Sequence, residues 1–140
     1  MRTPGSGVLL IAIGVVHQVF GVLAGLGVMV PPNAPRRRPL VEIAEAGFVN
    51  AVGDDPLRNT VFWFLFFGFV LLILGDLVRR IERAGRPLPR ALGWQIGALA
   101  LGGVLLIPAS GFWLVLPVVY QILRHGGRPA TEDTVGRGAP

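Results

Sequence analysis

From Gly7 to Val30 the chain carries no Asp, Glu, Lys or Arg, and few folds other than a membrane span use so long an uncharged run. Roughly 20 consecutive apolar residues cross the hydrocarbon core of a bilayer, so the segment is long enough to span. The pattern predicts a helix over 7–30, stopped at Pro31-Pro32 because proline lacks the amide hydrogen and crowds the preceding turn. Met1-Arg2 resembles the start of a signal peptide. The apolar run is too long for an h-region, however, and no small-x-small cleavage site follows it, so the segment is expected to be retained as an anchor.

Three further apolar runs cover 60–78, 91–107 and 111–125, the last two joined by a tight turn at Pro108-Ala109-Ser110-Gly111. The fourth run is short for a span, so its helix must draw in Arg124 and His125, start at Pro108, or leave its outer end recessed below the bilayer surface. Between the first and second runs, Leu40, Ile43, Ala44, Gly47, Phe48, Ala51 and Val52 recur at helical spacing opposite Glu42, Glu45 and Asn50. That pattern predicts an amphipathic helix over 40–52 lying on the outer membrane surface, ended by Gly53 and the turn-forming Asp54-Asp55-Pro56. Residues 126–140 are Gly, Pro and charge without periodicity, the composition of a disordered cytoplasmic tail. Hydrophobic residues make up 52% of the chain and charged ones 15%, with a mean hydropathy of +0.63. A soluble domain would distribute more charge over its helix faces. The expected fold class is all-α: an integral membrane four-helix bundle, residues 1–125 as one transmembrane domain, with the outer amphipathic helix attached.

All thirteen basic residues are Arg, and the formal net charge is +5. They flank apolar runs without aromatic interleaving or a recognisable binding motif, so they are read as orienting the chain in a membrane, with no nucleic-acid partner. With the N-terminus inside, Arg2, Arg79, Arg80, Arg83, Arg86, Arg90, Arg124, Arg128 and Arg137 are cytoplasmic, and Arg36, Arg37, Arg38 and Arg58 are outside. This excess of inside Arg predicts a multi-pass plasma-membrane protein with both termini cytoplasmic. Trp63 and Trp113 then fall at outer ends, and Trp94 and Tyr120 towards inner ends, at the depth of interfacial anchors. Arg79, Arg80 and Arg83 should attract anionic lipid. The chain has no Cys, which removes disulfides, thiolate metal sites and thiol nucleophiles.

Gly7, Gly14 and Gly21 repeat at sevenfold spacing in the first helix, Gly25 completes Gly21-x-x-x-Gly25, the second run has Gly68 and Gly75, and the third has Gly93-x-x-x-Gly97 and Ala98-x-x-x-Gly102. Missing side chains let helices approach closely in lipid, where packing replaces the hydrophobic effect. Packing within one bundle is the expected use, with a dimer face as the alternative. His17 shares the face of Gly14 and Gly21 near the middle of the span, where an ionisable group is costly. It is expected either to hydrogen-bond across helices or to orient a ligand. The ligand reading gathers His17, Gly14, Gly21, Phe48, Trp63 and Trp113 around an outward-opening pocket lidded by the 40–52 helix. Its rival is a bundle filled by Phe62, Phe66, Phe67 and Phe112. Asp76 with Arg79 and Arg80 has the spacing of a helical ion pair, while Glu42, Glu45, Asp54 and Asp55 lack that of a calcium loop. No catalytic residue, metal site or cofactor is expected.

His17, the run Phe62-Trp63-Phe64-Leu65-Phe66-Phe67-Gly68, the loop Gly85-Arg86-Pro87-Leu88-Pro89-Arg90-Ala91-Leu92-Gly93-Trp94 and the turn Pro108-Ala109-Ser110-Gly111-Phe112-Trp113 occur in this order. Together they resemble a bacterial family of small four-helix membrane proteins known only as a domain of unknown function, over Gly7 to Leu123. The resemblance implies the fold and a membrane location, and no activity. A looser likeness to DoxX-type membrane proteins is architectural alone.

The helix interiors offer chiefly His17, Gln18 and Gln95 as polar groups, whereas an intramembrane enzyme or pump gathers several convergent ones. The expected function is therefore a non-enzymatic accessory subunit, with a protein partner or a second copy, or a binder of a small apolar ligand or lipid. The alternative is a membrane-embedded enzyme or transporter using His17. The topology is checked with single cysteines and a membrane-impermeant thiol reagent on intact cells: Asn33→Cys labels, and Ala84→Cys labels only after permeabilisation. The reverse pattern contradicts it.

Overall fold

The computed structural model of the chain describes residues 5–29, 33, 35–47, 51–108 and 110–126. Among these residues it is all-helical, with five α-helices, one short 3-10 helix and no strand. The order is α1 Ser6–Gly25, α2 Pro39–Ala46, α3 Pro56–Arg83, α4 Arg90–Leu106, the 3-10 turn Gly111–Val115 and α5 Leu116–His125. The chain divides into two compact units, one of Met1–Ile11 with Leu74–Pro140 and one of Ala12–Ile73, and α1 and α3 contribute to both.

Glycine, not proline, ends the first helix. Gly27 takes φ +73°, Val28 donates its N–H to the Leu23 carbonyl at 2.9 Å, and Gly27 donates to Ala24 at 3.0 Å. That left-handed cap satisfies carbonyls the last turn would otherwise strand. The helix expected to reach Val30 thus stops at Gly25, and Val30, Pro31 and Pro32 lie outside the described residues. The surface helix expected over 40–52 is shorter for a similar reason, since α2 stops at Ala46 and Gly47 follows at φ +84°. Phe48 and Asn50 lie outside the described residues.

Asp54-Asp55-Pro56, read above as a turn, is where α3 begins. Asp55 Oδ1 accepts the N–H groups of Leu57 at 3.0 Å and Arg58 at 2.9 Å, and Pro56 occupies the first helical position, where a missing N–H costs nothing. α3 therefore runs 28 residues, about 42 Å at 1.5 Å per residue, past both ends of the 60–78 run. It closes on Gly85 (φ +67°), with Arg86 donating to Ile81 at 3.2 Å and Gly85 to Glu82 at 3.1 Å.

In the unit of residues 12–73, α1 and α3 pack antiparallel with a glycine in each facing pair. A Cβ added at Gly14 would lie 2.9 Å from Leu72 Cδ2, one at Gly21 2.6 Å from Leu65 Cδ2, one at Gly25 3.1 Å from Val61 Cγ1, and one at Gly68 2.9 Å from Gln18 Cδ. Each step along α1 is matched by an equal step back along α3. α2 adds Leu40, whose Cδ1 would lie 2.6 Å from a Cβ on Gly25.

The other unit repeats the pattern at the remaining ends of these helices. A Cβ on Gly7 would lie 2.7 Å from Arg79 Cα, and one on Gly75 2.8 Å from the backbone nitrogen of Ile11. Its α4 buries Gly93, Ile96, Ala100 and Val104, and Val115, Val118 and Ile122 are buried on the chain that returns against it. Leu123 fills the space over Gly93, and the Phe112 ring fills that over Gly103. The run expected as one helix over 111–125 is split between the 3-10 turn and α5, and Pro117 in the first turn of α5 lacks the N–H needed to continue an α-helix through the junction.

Two helices, α1 and α3, are long and apolar enough to cross a membrane, and only 22% and 28% of their most apolar stretches is buried. Ile73 is 70% exposed and Leu106 84%, so many large apolar side chains point outward while the paired glycines point inward. If the close pairing holds the helices together, Gly14→Leu lowers thermal stability in detergent by about 1–3 kcal/mol through overpacking. An unchanged melting temperature would mean that Gly14 faces open space.

Candidate functional site

The unit of residues 12–73 holds a cavity of about 530 Å³, within the range of small-ligand sites. Phe20, Gly21 and Ala24 of α1 form one wall, Leu57, Thr60, Val61 and Phe64 of α3 another, and Pro35, Arg37 and Pro39 a strap that leads into α2; Met29 completes the lining. Only Thr60 and Arg37 bring polar side-chain atoms, and both are already engaged. The Thr60 hydroxyl donates to the Pro56 carbonyl at 2.8 Å, and the Arg37 guanidinium is bound by carboxylates. What the cavity offers a ligand is hydrocarbon.

Arg37 is the centre of an ion network. It donates to both oxygens of Glu42, through Nε at 3.2 Å and through Nη2, and lies 2.9 Å from Asp55 Oδ2. Arg58 joins it, Nε to Glu42 Oε2 at 3.3 Å, and donates through Nη1 to the Ala51 carbonyl at 3.3 Å. Strap, α2 and the start of α3 are thereby fastened together. The hydrogen bond from Arg37 holds the Glu42 carboxyl below its ordinary range. The Arg58 backbone N–H, and then Arg37, do the same for Asp55. The two carboxylates in turn raise the pKa of Arg37.

His17 and Gln18 meet α3 side by side. His17 Nε2 donates to the Phe64 carbonyl at 3.0 Å and Gln18 Nε2 to that of Leu65 at 3.1 Å. The absence of a side chain at Gly68 admits both, since a Cβ there would lie 3.1 Å from His17 Cδ2. The imidazole stacks on the Phe64 ring with centroids 3.7 Å apart and a 12° tilt. The buried Gln18 Oε1 has no partner among the described residues.

Of the residues singled out in the sequence, Gly14 and Gly21 lie in the helix pairing. Gly21 also lines the cavity, and His17 adjoins it through Phe64. Trp63 is exposed beside Phe62 and Phe66, away from the lining, and Phe48 lies outside the described residues. Trp113, in the other unit, is exposed and donates Nε1 to the Pro108 carbonyl at 2.9 Å. Within this unit, Phe62 and Phe66 are exposed, so they do not fill an interior. Arg37, Pro35, Pro39 and Leu57 were not anticipated. The strap, rather than the apolar face of the surface helix, supplies the third wall.

Helices without strands among the described residues, two of them fit to cross a membrane, and a hydrocarbon-lined cavity between their paired walls define the class. The chain matches a family of unknown function, DUF6463, over residues 1–129, and it belongs to that family. No curated protein matches the chain, and no solved structure does.

The lowered carboxyls have a consequence for acid stability. A carboxyl depressed in the folded state stabilises it above the ordinary carboxylate range, and that contribution is lost as pH falls through the depressed value. The protection of the Leu40 to Ala46 amides, measured against the intrinsic exchange rate at each pH, should hold from neutral pH to about pH 5 and fall below about pH 4. In Arg37→Gln the same amides exchange fast already at pH 7. Protection unchanged down to pH 3 would contradict the fastening role.

Proposed function

We propose that this protein crosses the bacterial plasma membrane four times, with both termini cytoplasmic, and binds the hydrocarbon part of a lipid or a similar small apolar ligand in the cavity between α1, α3 and the strap. The cavity itself carries this reading. Its lining is apolar, its two polar side chains are committed elsewhere, and Phe20, Leu57 and Phe64 are exposed at its walls, so a chain arriving from the bilayer meets hydrocarbon throughout. The outward-facing apolar side chains on α1, α3 and α4 support the membrane placement, because water would penalise each of them by about 1.5–3 kcal/mol relative to burial.

Binding is favoured over catalysis by what His17 and Gln18 do. Their amide and imidazole N–H groups are spent on α3 carbonyls, which suits a structural pairing better than proton transfer. Arg79, Arg80 and Arg83 would hold the cytoplasmic surface against anionic lipid, Arg80 sharing its charge with Asp76 at 2.7 Å.

The test is photo-crosslinking of the full chain in nanodiscs with a diazirine-bearing fatty acid, the adducts mapped by mass spectrometry. Adducts concentrate on Phe20, Met29 and Leu57, and Ala24→Phe, which fills the cavity, removes most of them while leaving the fold intact by circular dichroism. Adducts spread evenly over Ile73, Leu105 and the cavity, indifferent to Ala24→Phe, would overturn the reading.

A further inference from the structure

The unit formed by Met1–Ile11 and Leu74–Pro140 contains a second cavity, of about 340 Å³, and its chemistry is the opposite of the first. Its lining includes Ser6, Glu82, Arg86, Gln121 and His125. The walls are pinned. Glu82 accepts the N–H groups of Ser6 at 2.8 Å and Gly7 at 3.2 Å, so a carboxylate from the end of α3 caps the start of α1. Arg86 is held by its own backbone, whose N–H closes the α3 cap on Ile81 at 3.2 Å. On the remaining side, Arg90 Nε donates to the Gly126 carbonyl at 3.0 Å and fixes the end of α5.

The donors in this cavity are not used up. Buried Ser6 gives its hydroxyl hydrogen to Gln121 Oε1 at 3.3 Å, which leaves the Gln121 amide nitrogen available. His125 Nδ1 lies 3.1 Å from the Gln121 carbonyl. A carbonyl only accepts, so Nδ1 carries the proton, and Nε2 is without a partner among the described residues. The Arg86 guanidinium likewise has no carboxylate partner among them. Glu82 does not reserve the cavity for a cation, because both its oxygens already accept from the positive end of α1. Arg79, Arg83, Arg90 and Arg124 of the same unit add to the positive field, and Asp76 is paired with Arg80.

We propose that this cavity binds the phosphate group of an anionic glycerophospholipid, held by the Arg86 guanidinium and the Gln121 amide. A phosphate suits a planar multi-donor group beside a neutral amide donor. The lipid, rather than a free phosphate, follows from the surface of the same unit, where Leu77, Trp94 and Tyr120 are exposed and offer the acyl chains a place to lie. Trp and Tyr are the residues that mark headgroup depth.

The experiment is native mass spectrometry of the full chain in detergent, titrated with phosphatidylglycerol, with phosphatidylcholine and with glycerol phosphate. Phosphatidylglycerol binds at least about tenfold more tightly than phosphatidylcholine, whose quaternary ammonium brings a positive charge into the field of the surrounding arginines, and millimolar glycerol phosphate does not displace it. Arg86→Ala and Gln121→Ala each weaken it several-fold, Arg86→Lys less than Arg86→Ala, while Ala24→Phe in the apolar cavity and Arg36→Ala in the other unit leave it unchanged. Equal affinity for the two lipids, or an Arg86→Ala variant that binds phosphatidylglycerol like the parent, overturns the proposal. Displacement by glycerol phosphate also overturns it, because the site would then serve a soluble phosphate ester. A failure confined to this site leaves the fatty-acid crosslinks and their sensitivity to Ala24→Phe untouched.

Discussion

The backbones of α1 and α3 come closer than any side chain would allow, and they do so because each facing pair contains a glycine. Gly7 meets Arg79, Gly75 meets Ile11, Gly14 meets Leu72, Gly68 meets Gln18, Gly21 meets Leu65 and Gly25 meets Val61. Glycine in a helix interior costs about 1 kcal/mol against alanine in water. In a bilayer the alternative to helix is a backbone without hydrogen-bond partners, so that penalty loses its force and close dispersion contact becomes the gain. The side chains that would ordinarily make a core are displaced outward, which accounts for helices that are apolar yet mostly exposed.

The polar features follow from the same approach. Side chains as short as those of His17 and Gln18 reach the backbone carbonyls of Phe64 and Leu65 only because Gly68 leaves a notch. Carbonyls already within a helix retain a second lone pair, so the bonds add to the ladder instead of breaking it. Near the end of α1, Gly21 and Ala24 line a cavity with Val61 and Phe64, bounded by the strap that Arg37 fastens to Glu42 and Asp55.

Local rules made part of this legible in the sequence. The sevenfold glycine repeat and the charge-free run name the face of α1 that is packed and the helix that is apolar, since both are properties of one helix. Complementarity was not legible: nothing in the spacing of Gly68 and Gly75 says that they fall opposite Gln18 and Ile11, because that depends on the register of two segments distant in the chain. Helix ends were misread where two signals competed. Pro31-Pro32 is the louder stop, yet Gly27, with the hydrogen bonds that close on it, ends α1 first, and Asp55 acts as a cap though it sits in a turn-like Asp-Asp-Pro. Arg37 sits in the run Arg36-Arg37-Arg38, and its role needs two carboxylates that sequence distance alone does not bring together. Trp63 and Trp113 were grouped with His17 from their inferred depth, a coordinate that says nothing about which way a side chain faces.

The central claim is that glycine pairing turns the apolar faces of α1 and α3 outward into lipid. It is tested most directly by electron paramagnetic resonance of single spin labels at Val19 and Phe69 in nanodiscs, with oxygen and a nickel chelate as relaxing agents. High oxygen accessibility and low nickel accessibility at both sites are the predicted result; high nickel accessibility at either would place that face in water and contradict the account.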